Sequence, residues 1–378
     1  MKNRIEAITQ AQLFHKLKRD KNIDYLAIVT SSWHYFSAVA TIMQLKKENK
    51  VKNGIILIYR HPTGGLIVDT DILAINWFPG LEQYSFKFER LAGGMQTFRY
   101  MLHHRNEGNP FYILRPMLPK MDFTTLLYNE NICKNIVHVE IDEGLATYIR
   151  GWSGWIVADI KGKKWNELWK LFNEWTWKKA VFTLLLKSRK ELIKNTLFVK
   201  KGKNLVNNRK LIIHFKRVFD KLGQAYDLSA YEKYSHSIII CTQPYGEQND
   251  IMQNDDVRII KKFCEIAHDM GFFVILKPHP REKNTNRYKD AKCFIDSNNS
   301  VPLEALLAGI HPKPVAVIGI TTTTLVTAKL FWNIPTISLA KLISREAYAY
   351  GIRDEVDNFC DIFRDIVQIP EKFQDILV

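Results

Sequence analysis

Two adjacent carboxylates followed by a glycine could perform acid–base chemistry in this sequence. Asp142 and Glu143 come directly before Gly144, and the glycine permits a tight turn that presents one carboxylate to a cleft. A carboxylate held in this way can act as a general base that removes a proton from an attacking hydroxyl group. An acidic pair before a glycine also occurs in ordinary turns, so these residues alone leave both interpretations open.

A histidine between two prolines could act on a phosphate. His279 lies in the segment FFVILKPHPRE, residues 272–282, where Pro280 and the proline before the histidine restrict the backbone on both sides. Histidine titrates close to neutral pH, so it can serve as an acid or as a hydrogen-bond donor to a phosphate. Lys277 and a following arginine add positive charge, although a surface loop with an incidental histidine fits this segment equally well.

Four consecutive threonines, Thr321–Thr324, could bind an anion. They come between a predicted strand and a predicted helix, and hydroxyl and backbone N–H groups at the amino end of a helix form an anion site. A helix cap needs one of these hydroxyls, so a row of four favours an anion site over a cap alone. Glu304, in the first turn of a short helix, suits the helix dipole and could also accept hydrogen bonds from a ribose diol.

Short apolar runs alternate with segments of helical periodicity in two separate blocks. In the first block the pattern predicts strands at residues 25–29, 54–59, 84–88, 111–114 and 136–141, and helices at 37–46, 95–104 and 123–129. In the second block it predicts strands at 236–241, 272–276 and 315–320, and helices at 255–270, 302–307 and 325–332. This alternation implies an α/β protein with parallel sheets that helices cover on both faces.

Two such blocks predict two Rossmann-like domains facing a central cleft. Ligands of open parallel sheets bind beyond the carboxyl ends of the strands, where the three polar groups lie, so we expect the nucleotide on the second domain and the acceptor on the first. The predicted N-terminal domain is residues 1–215, with an insert at 150–215. The nucleotide domain is 216–345, and a helical tail, 346–378, is expected to pack back on the N-terminal domain.

The composition favours an anionic partner and a reducing compartment. The 378 residues carry a net charge of +15, which suits nucleic acid, an anionic membrane face or an acidic substrate. Five cysteines without C-x-x-C spacing argue against a disulfide framework and a structural zinc site. The amino-terminal segment lacks the apolar core of a signal peptide, and the longest apolar runs are far below the roughly 18–20 residues that span a bilayer.

The predicted insert is rich in tryptophan and lysine. Six of the nine tryptophans lie between Trp152 and Trp177, and the segment Lys187–Lys203 is strongly basic. Aromatic rings and cations in this combination suit a helix at the surface of an anionic membrane. A helical insert that packs its aromatic side chains against the domains fits the same pattern.

The three motifs together resemble those of bacterial sialyltransferases, which carry Asp/Glu-Asp/Glu-Gly, then His-Pro, then a Ser/Thr pair. The resemblance is strongest to the capsular α-2,8-polysialyltransferases, through the stretches EGLATY, LKPHPRE and IGITTTTLV. It covers residues 135–150 and 235–340. The sequence departs from these relatives at Thr322–Thr324, where they carry serines, so the identity of the phosphate-binding pair stays open.

The resemblance implies a GT-B fold and the inverting transfer of sialic acid from CMP-sialic acid, without a metal or other cofactor. It implies Glu143 as general base with Asp142 as its neighbour or substitute, and His279 as phosphate donor and general acid. The implied donor-binding residues are Lys277, Pro280, Glu304, Thr322, Thr323 and Thr324, and the expected acceptor-binding residues are Ser31, Ser32 and Gly144.

The implied partners are CMP-sialic acid and an anionic glycan acceptor, with peripheral contact to the inner face of the bacterial inner membrane and to capsule assembly proteins. A mono-sialyltransferase acting on lipooligosaccharide, or a transferase of another CMP-activated acid sugar such as Kdo, is an alternative. A nucleic-acid-binding protein would also fit the positive charge. Its basic residues are scattered, however, and no nucleic-acid-binding motif is present, so no nucleic-acid partner is expected.

Overall fold

The computed structural model describes residues 6–20, 22–59, 72, 75–86, 110–116, 136–149, 192–201, 204–245, 251, 254–279, 282–296 and 301–376. The chain divides into two compact units. The first unit comprises residues 1–143 and 164–218, and the second comprises 144–163 and 219–378. Each unit is built around one parallel sheet.

The sheet of the first unit has seven parallel strands in the order β1-β4-β3-β2-β5-β6-β7. The strands are β1 (Ala7–Ile8), β2 (Ile23–Val29), β3 (Asn53–Tyr59), β4 (Leu81–Phe86), β5 (Phe111–Pro116), β6 (Ile136–Ile141) and β7 (Leu192–Asn195). Strands β2 and β5 are buried almost throughout, without the in–out alternation of a half-exposed strand. This burial is typical of parallel sheets covered on both faces.

Two described helices precede strands of this sheet. Helix α1 (Gln10–Arg19) begins with a capping box between Thr9 and Gln12, and helix α2 (Ser32–Lys47) follows β2 directly. The sequence predicted that α2 would begin at residue 37, five residues later than it does. Its first turn, in which His34 and Tyr35 are buried, is capped by the Ser31 hydroxyl, which accepts the backbone N–H of His34 at 3.2 Å.

The sheet of the second unit has five parallel strands in the order β12-β11-β10-β13-β14. They are β10 (Ile238–Cys241), β11 (Val274–Lys277), β12 (Phe294–Ile295), β13 (Ala316–Gly319) and β14 (Thr336–Ser338). The strand order reverses between β10 and β13, as it does between β2 and β5 in the first unit. Such a reversal opens a ligand-binding crevice at the carboxyl ends of the two strands.

Two further strands, six α-helices and several short 3-10 helices make up the other elements among the described residues. The strands are β8 (Phe198–Lys201) and β9 (Asn204–Asn207), which form an antiparallel hairpin. The α-helices are α3 (Ala146–Ile149), α4 (Arg209–Ala225), α5 (Asp255–Asp269), α6 (Leu303–Gly309), α7 (Thr323–Trp332) and α8 (Tyr350–Phe363). Within these described residues, no helix combines the length and the apolar character that a membrane span requires.

The predicted C-terminal tail belongs to the second unit in the structure. Its helix α8 contacts α3, where Tyr148 meets Phe363 edge-on at 6.1 Å between ring centroids. The Asn358 side chain also donates a hydrogen bond to the backbone oxygen of Ile149 at 3.0 Å. The sequence had assigned residues 146–149 to the N-terminal domain, whereas the structure groups them with the second unit.

The predicted α/β class with two Rossmann-like units, as the GT-B type requires, is confirmed by the two parallel sheets. The predicted strands coincide with β2 to β6, β10, β11 and β13 to within a few residues at each end. The predicted helices at 95–104 and 123–129, and the tryptophan-rich segment at 152–177, lie outside the described residues.

Candidate active site

Asp142 is enclosed at the carboxyl end of β6, where it is fully buried. Its Oδ1 atom accepts the indole N–H of Trp33 at 2.9 Å, and its Oδ2 atom accepts the backbone N–H of Leu197 at 3.0 Å. Its own backbone N–H donates to the Ser37 hydroxyl at 2.8 Å. Trp33 in turn stacks on Phe215 at 5.5 Å between ring centroids. Asp142 therefore joins three segments of the first unit, namely the end of β6, helix α2 and the segment at Leu197, and this arrangement suits a residue that holds the turn in place.

Asp142→Asn is expected to lower the free energy of unfolding by about 1–3 kcal/mol. Asparagine supplies one acceptor oxygen, so its amide group would face either the Trp33 or the Leu197 N–H donor, which would lose its partner. Urea denaturation followed by tryptophan fluorescence measures the loss, with Glu143→Gln as the matched control in the next residue. An Asp142→Asn variant as stable as the parent protein would contradict this structural role.

Glu143 follows Asp142 and is partly exposed, whereas the glycine after it is buried. Gly144 has a φ of 83°, a backbone conformation that side chains disfavour, so the turn after the carboxylates requires glycine. The turn leads into α3, and the backbone N–H of Leu145 donates to the Thr323 hydroxyl oxygen at 3.3 Å. Leu145 and Thr323 both belong to the second unit, so this hydrogen bond fixes the residue before α3 to the first residue of α7.

The four threonines have different partners. The Thr321 hydroxyl makes a hydrogen bond with the Tyr245 hydroxyl, and the Thr324 hydroxyl donates a hydrogen bond to the Glu304 carboxylate at 3.0 Å. Thr323 accepts the Leu145 N–H, which leaves its hydroxyl proton available for donation. Thr322 occupies the N-cap position of α7 without making a side-chain cap hydrogen bond. Thr322 and Thr323 are therefore the pair best suited to donate to a phosphate at this helix terminus.

Gly319 allows Thr322 to approach the end of β13 closely. A Cβ atom at this glycine would lie 2.9 Å from the methyl carbon of Thr322 and 3.2 Å from the backbone oxygen of Cys241. Both distances are too short for ordinary contacts. The glycine therefore lets the threonine methyl group pack directly on the backbone of the strand.

Glu304 lies in the first turn of α6 and is held by α7. Its Oε1 atom accepts hydrogen bonds from the Thr324 hydroxyl at 3.0 Å and from the Thr327 hydroxyl at 3.4 Å. Burial raises the pKa of this carboxyl group, while the two hydroxyl donors and the charge of Lys277 oppose that rise. The geometry fixes one carboxylate oxygen within the protein, and the predicted ribose contact would use the other.

His279 lies two residues beyond the end of β11, and its backbone is fixed by hydrogen bonds. Its N–H donates to the Thr242 hydroxyl oxygen at 3.1 Å, and its carbonyl oxygen accepts the N–H of Glu282 at 2.8 Å. Thr242 follows β10, the strand between β11 and β13. The predicted donor-binding residue Pro280 lies outside the described residues.

Lys277, the last residue of β11, is buried rather than presented to solvent. Its ammonium nitrogen lies 3.9 Å from the Asp296 carboxylate, which also accepts the Tyr234 hydroxyl. Burial lowers the pKa of Lys277, and the charge of Asp296 opposes this shift. The ammonium group contributes positive charge beneath the strand ends, and its direct contact with a donor stays a prediction.

Ser31 and Ser32 lie at the carboxyl end of β2, beside the point where the strand order of the first unit reverses. Ser31 caps α2, and the neighbouring Thr30 hydroxyl lies 2.8 Å from His34 Nδ1. Burial lowers the pKa of His34 to about 4, so its ring is neutral near physiological pH. These contacts fix the first turn of α2, where an acceptor would approach the strand ends of this unit.

Sequence reasoning missed Trp33 and Thr242. Trp33 is separated from Asp142 by 109 residues, so no local pattern connects the two. Thr242 had a detectable signal, because it directly follows a predicted strand and lies where ligands of parallel sheets bind.

Several solved structures resemble this chain at low sequence identity. A 2,6-sialyltransferase from a Photobacterium species, solved with CMP and lactose, is 12% identical with a TM-score of 0.45, covering 91% of this chain and 78% of its own. A sialyltransferase from Photobacterium damsela is 13% identical with a TM-score of 0.42, covering 92% and 81%. A UDP-GlcNAc 2-epimerase from Neisseria meningitidis is 13% identical with a TM-score of 0.43, covering 90% and 91%. A search of curated protein sequences found no match.

The two Rossmann-like units are those of the GT-B fold class. The sequence then gives the family. The α-2,8-polysialyltransferase family model matches residues 25–341, which is most of the chain, so this protein belongs to that family and is a sialyltransferase, which is a glycosyltransferase. The matched range includes all the predicted site residues.

Proposed function

We propose that this protein transfers sialic acid, with inversion, from CMP-sialic acid to a sialylated or oligosaccharide acceptor in the synthesis of capsular polysialic acid. The observation that supports this proposal best is the hydroxyl pair of Thr322 and Thr323 at the start of α7. Helix α7 follows β13 in the chain. In the sheet, β10 lies between β13 and β11, and β11 is the strand that leads to His279. These groups suit the single phosphate of a CMP leaving group.

In the proposed reaction, an acceptor hydroxyl oxygen attacks the anomeric carbon of sialic acid while the bond to the CMP phosphate breaks. Glu143 takes the proton from the hydroxyl group, and Asp142 holds the turn that carries Glu143. Negative charge develops on the departing phosphate, where His279 donates a proton or hydrogen bond together with the two threonine hydroxyls. One phosphate needs less neutralisation than a diphosphate, so we propose that no metal takes part.

The threonine pair gives a direct test of donor binding. Thr322→Ala and Thr323→Ala are each expected to weaken CMP binding by about 1.5–3 kcal/mol, because each removes a hydrogen bond to a charged phosphate. Isothermal titration calorimetry with CMP measures the loss. Thr322→Ser and Thr323→Ser keep the hydroxyl group and are expected to bind CMP nearly as well as the parent protein. Equal affinity in the alanine and serine variants would exclude these two hydroxyls as phosphate ligands.

Product length tests the polymerising function. The protein is incubated with CMP-sialic acid and a fluorescently labelled sialyl-lactoside, and the products are separated by size. A ladder of products supports polysialic acid synthesis. A single addition would favour a mono-sialyltransferase acting on lipooligosaccharide, and transfer of Kdo but not sialic acid would overturn the donor assignment.

The net charge of +15 supports two further parts of the proposal. A basic protein suits a polyanionic acceptor chain and the anionic inner face of the bacterial inner membrane. We propose peripheral association at that face through the segment Trp152–Lys203, most of which lies outside the described residues. Sedimentation with anionic and neutral lipid vesicles tests this, and equal recovery with both would contradict it.

A further inference from the structure

A chain of buried polar groups lies behind the backbone of His279. The Thr242 hydroxyl oxygen accepts the His279 N–H at 3.1 Å, and the same hydroxyl donates its proton to Oε2 of Glu282. Thr242 and Glu282 are both buried. The hydrogen-bond chain therefore runs from the histidine backbone through a threonine to a carboxylate.

The Glu282 carboxylate is held in place from its other side as well. Its Oε1 atom accepts the Tyr288 hydroxyl at 2.8 Å and lies 3.6 Å from Nη1 of Arg287. The Nη2 atom of Arg287 binds both oxygens of Asp256, at 2.7 Å and 2.9 Å. Because an unpaired buried carboxylate is costly, the Arg287 guanidinium between Glu282 and Asp256 and the two hydroxyl donors on Glu282 supply the partners that this buried group needs.

Glu282 also contacts the histidine through the backbone. Its N–H donates to the carbonyl oxygen of His279 at 2.8 Å. Glu282 thus fixes both polar groups of the His279 peptide backbone, directly at the carbonyl group and through Thr242 at the N–H group. Because buried charges rarely add net stability, a fully enclosed carboxylate with these partners suits a role in fixing geometry.

We propose that Glu282 is a positioning residue for His279, acting through Thr242 to hold the backbone from which the imidazole ring reaches the leaving phosphate. This inference rests on the proposed sialyl transfer for its catalytic consequence. The expected displacement of His279 on removal of the Glu282 carboxylate or the Thr242 hydroxyl does not depend on that reaction.

Two variants interrupt this chain of hydrogen bonds at different points. Glu282→Gln keeps the size of the side chain but replaces one acceptor oxygen by an amide group, so either Thr242 or Tyr288 loses its acceptor. Thr242→Val keeps the shape of the side chain and removes the bridging hydroxyl. Thr242→Ser restores the hydroxyl, and Glu265→Gln makes the same chemical change at an exposed position on α5 of the same unit.

Two measurements are made on the full-length protein. The first is the nuclear magnetic resonance signal of the His279 ring in protein with labelled histidine, assigned by its disappearance in His279→Ala. The second is steady-state transfer from CMP-sialic acid. We expect Glu282→Gln and Thr242→Val to shift the His279 signal and to lower kcat roughly 10- to 100-fold, with a smaller change in KM. Thr242→Ser and Glu265→Gln are expected to match the parent protein in both measurements.

An unchanged His279 signal in Thr242→Val would overturn the inference, even if the parent protein transfers sialic acid. A shifted signal with unchanged kcat would also overturn it, because the displacement would then have no catalytic consequence. Should Glu282→Gln fail to fold, Thr242→Val still decides the question. If the parent protein shows no transfer from CMP-sialic acid, the proposed function fails, and the signal in Thr242→Val alone decides whether the chain positions His279.

Discussion

Glu143→Gln is expected to lower kcat for sialyl transfer about 100-fold or more while leaving the fold intact. Glutamine keeps the size of the side chain but cannot take a proton from the acceptor hydroxyl, and general-base catalysis contributes roughly 10²–10⁴ in rate. Glu143 is partly exposed, in contrast to the enclosed Asp142, so the substitution leaves the contacts that Asp142 makes with Trp33 and Leu197 in place.

Three measurements separate this role from a structural one. The variant should bind CMP like the parent protein and denature at the same urea concentration, while its initial rate with a sialyl-lactoside acceptor falls. Glu265→Gln, on the surface of the second unit, is the control for loss of a negative charge. A Glu143→Gln enzyme with a near-normal rate would remove Glu143 as the base.

His279→Ala, as a separate single variant, is also expected to lower kcat about 100-fold or more. The substitution removes the side chain that is proposed to donate to the departing phosphate, while the hydrogen bonds of the residue 279 backbone to Thr242 and Glu282 can persist. The loss should appear mainly in kcat, because charge on the phosphate grows as the bond breaks. CMP binding should weaken less, since the two threonine hydroxyls remain.

His279→Gln provides the matched comparison. Glutamine can donate a hydrogen bond but cannot serve as a general acid near neutral pH. Recovery of most of the rate in this variant would show that a hydrogen bond is sufficient, whereas a rate as low as that of His279→Ala would support proton transfer. If neither variant slows transfer, His279 has no part in the chemistry.

The strands and the three motifs could be predicted from the sequence because their signals are local. An apolar run such as IVHVEI predicts β6 by itself, and the polar residues that follow it are found by reading one position further. The start of α2 was placed too late because Ser32 to Phe36 lack a clear helical pattern, and the Ser31 cap is defined by its bond to His34.

The division of roles within each motif could not be predicted, because it depends on distant partners. Asp142 and Glu143 have the same chemistry in the sequence, and they are distinguished by the N–H groups of Trp33 and Leu197, which lie 109 and 55 residues from Asp142. The four threonines are likewise indistinguishable until the structure pairs Thr321 with Tyr245 and Thr324 with Glu304.

The contact between Gly319 and the Thr322 methyl group has a consequence for the entropy of donor binding. A serine hydroxyl at this position could rotate among three staggered orientations, and binding a phosphate would restrict it to one. The threonine methyl group packs against the strand backbone, so the hydroxyl orientation is already restricted before the donor arrives. Threonine at this position therefore reduces the rotational freedom lost on binding, and the missing side chain of Gly319 makes this restriction possible.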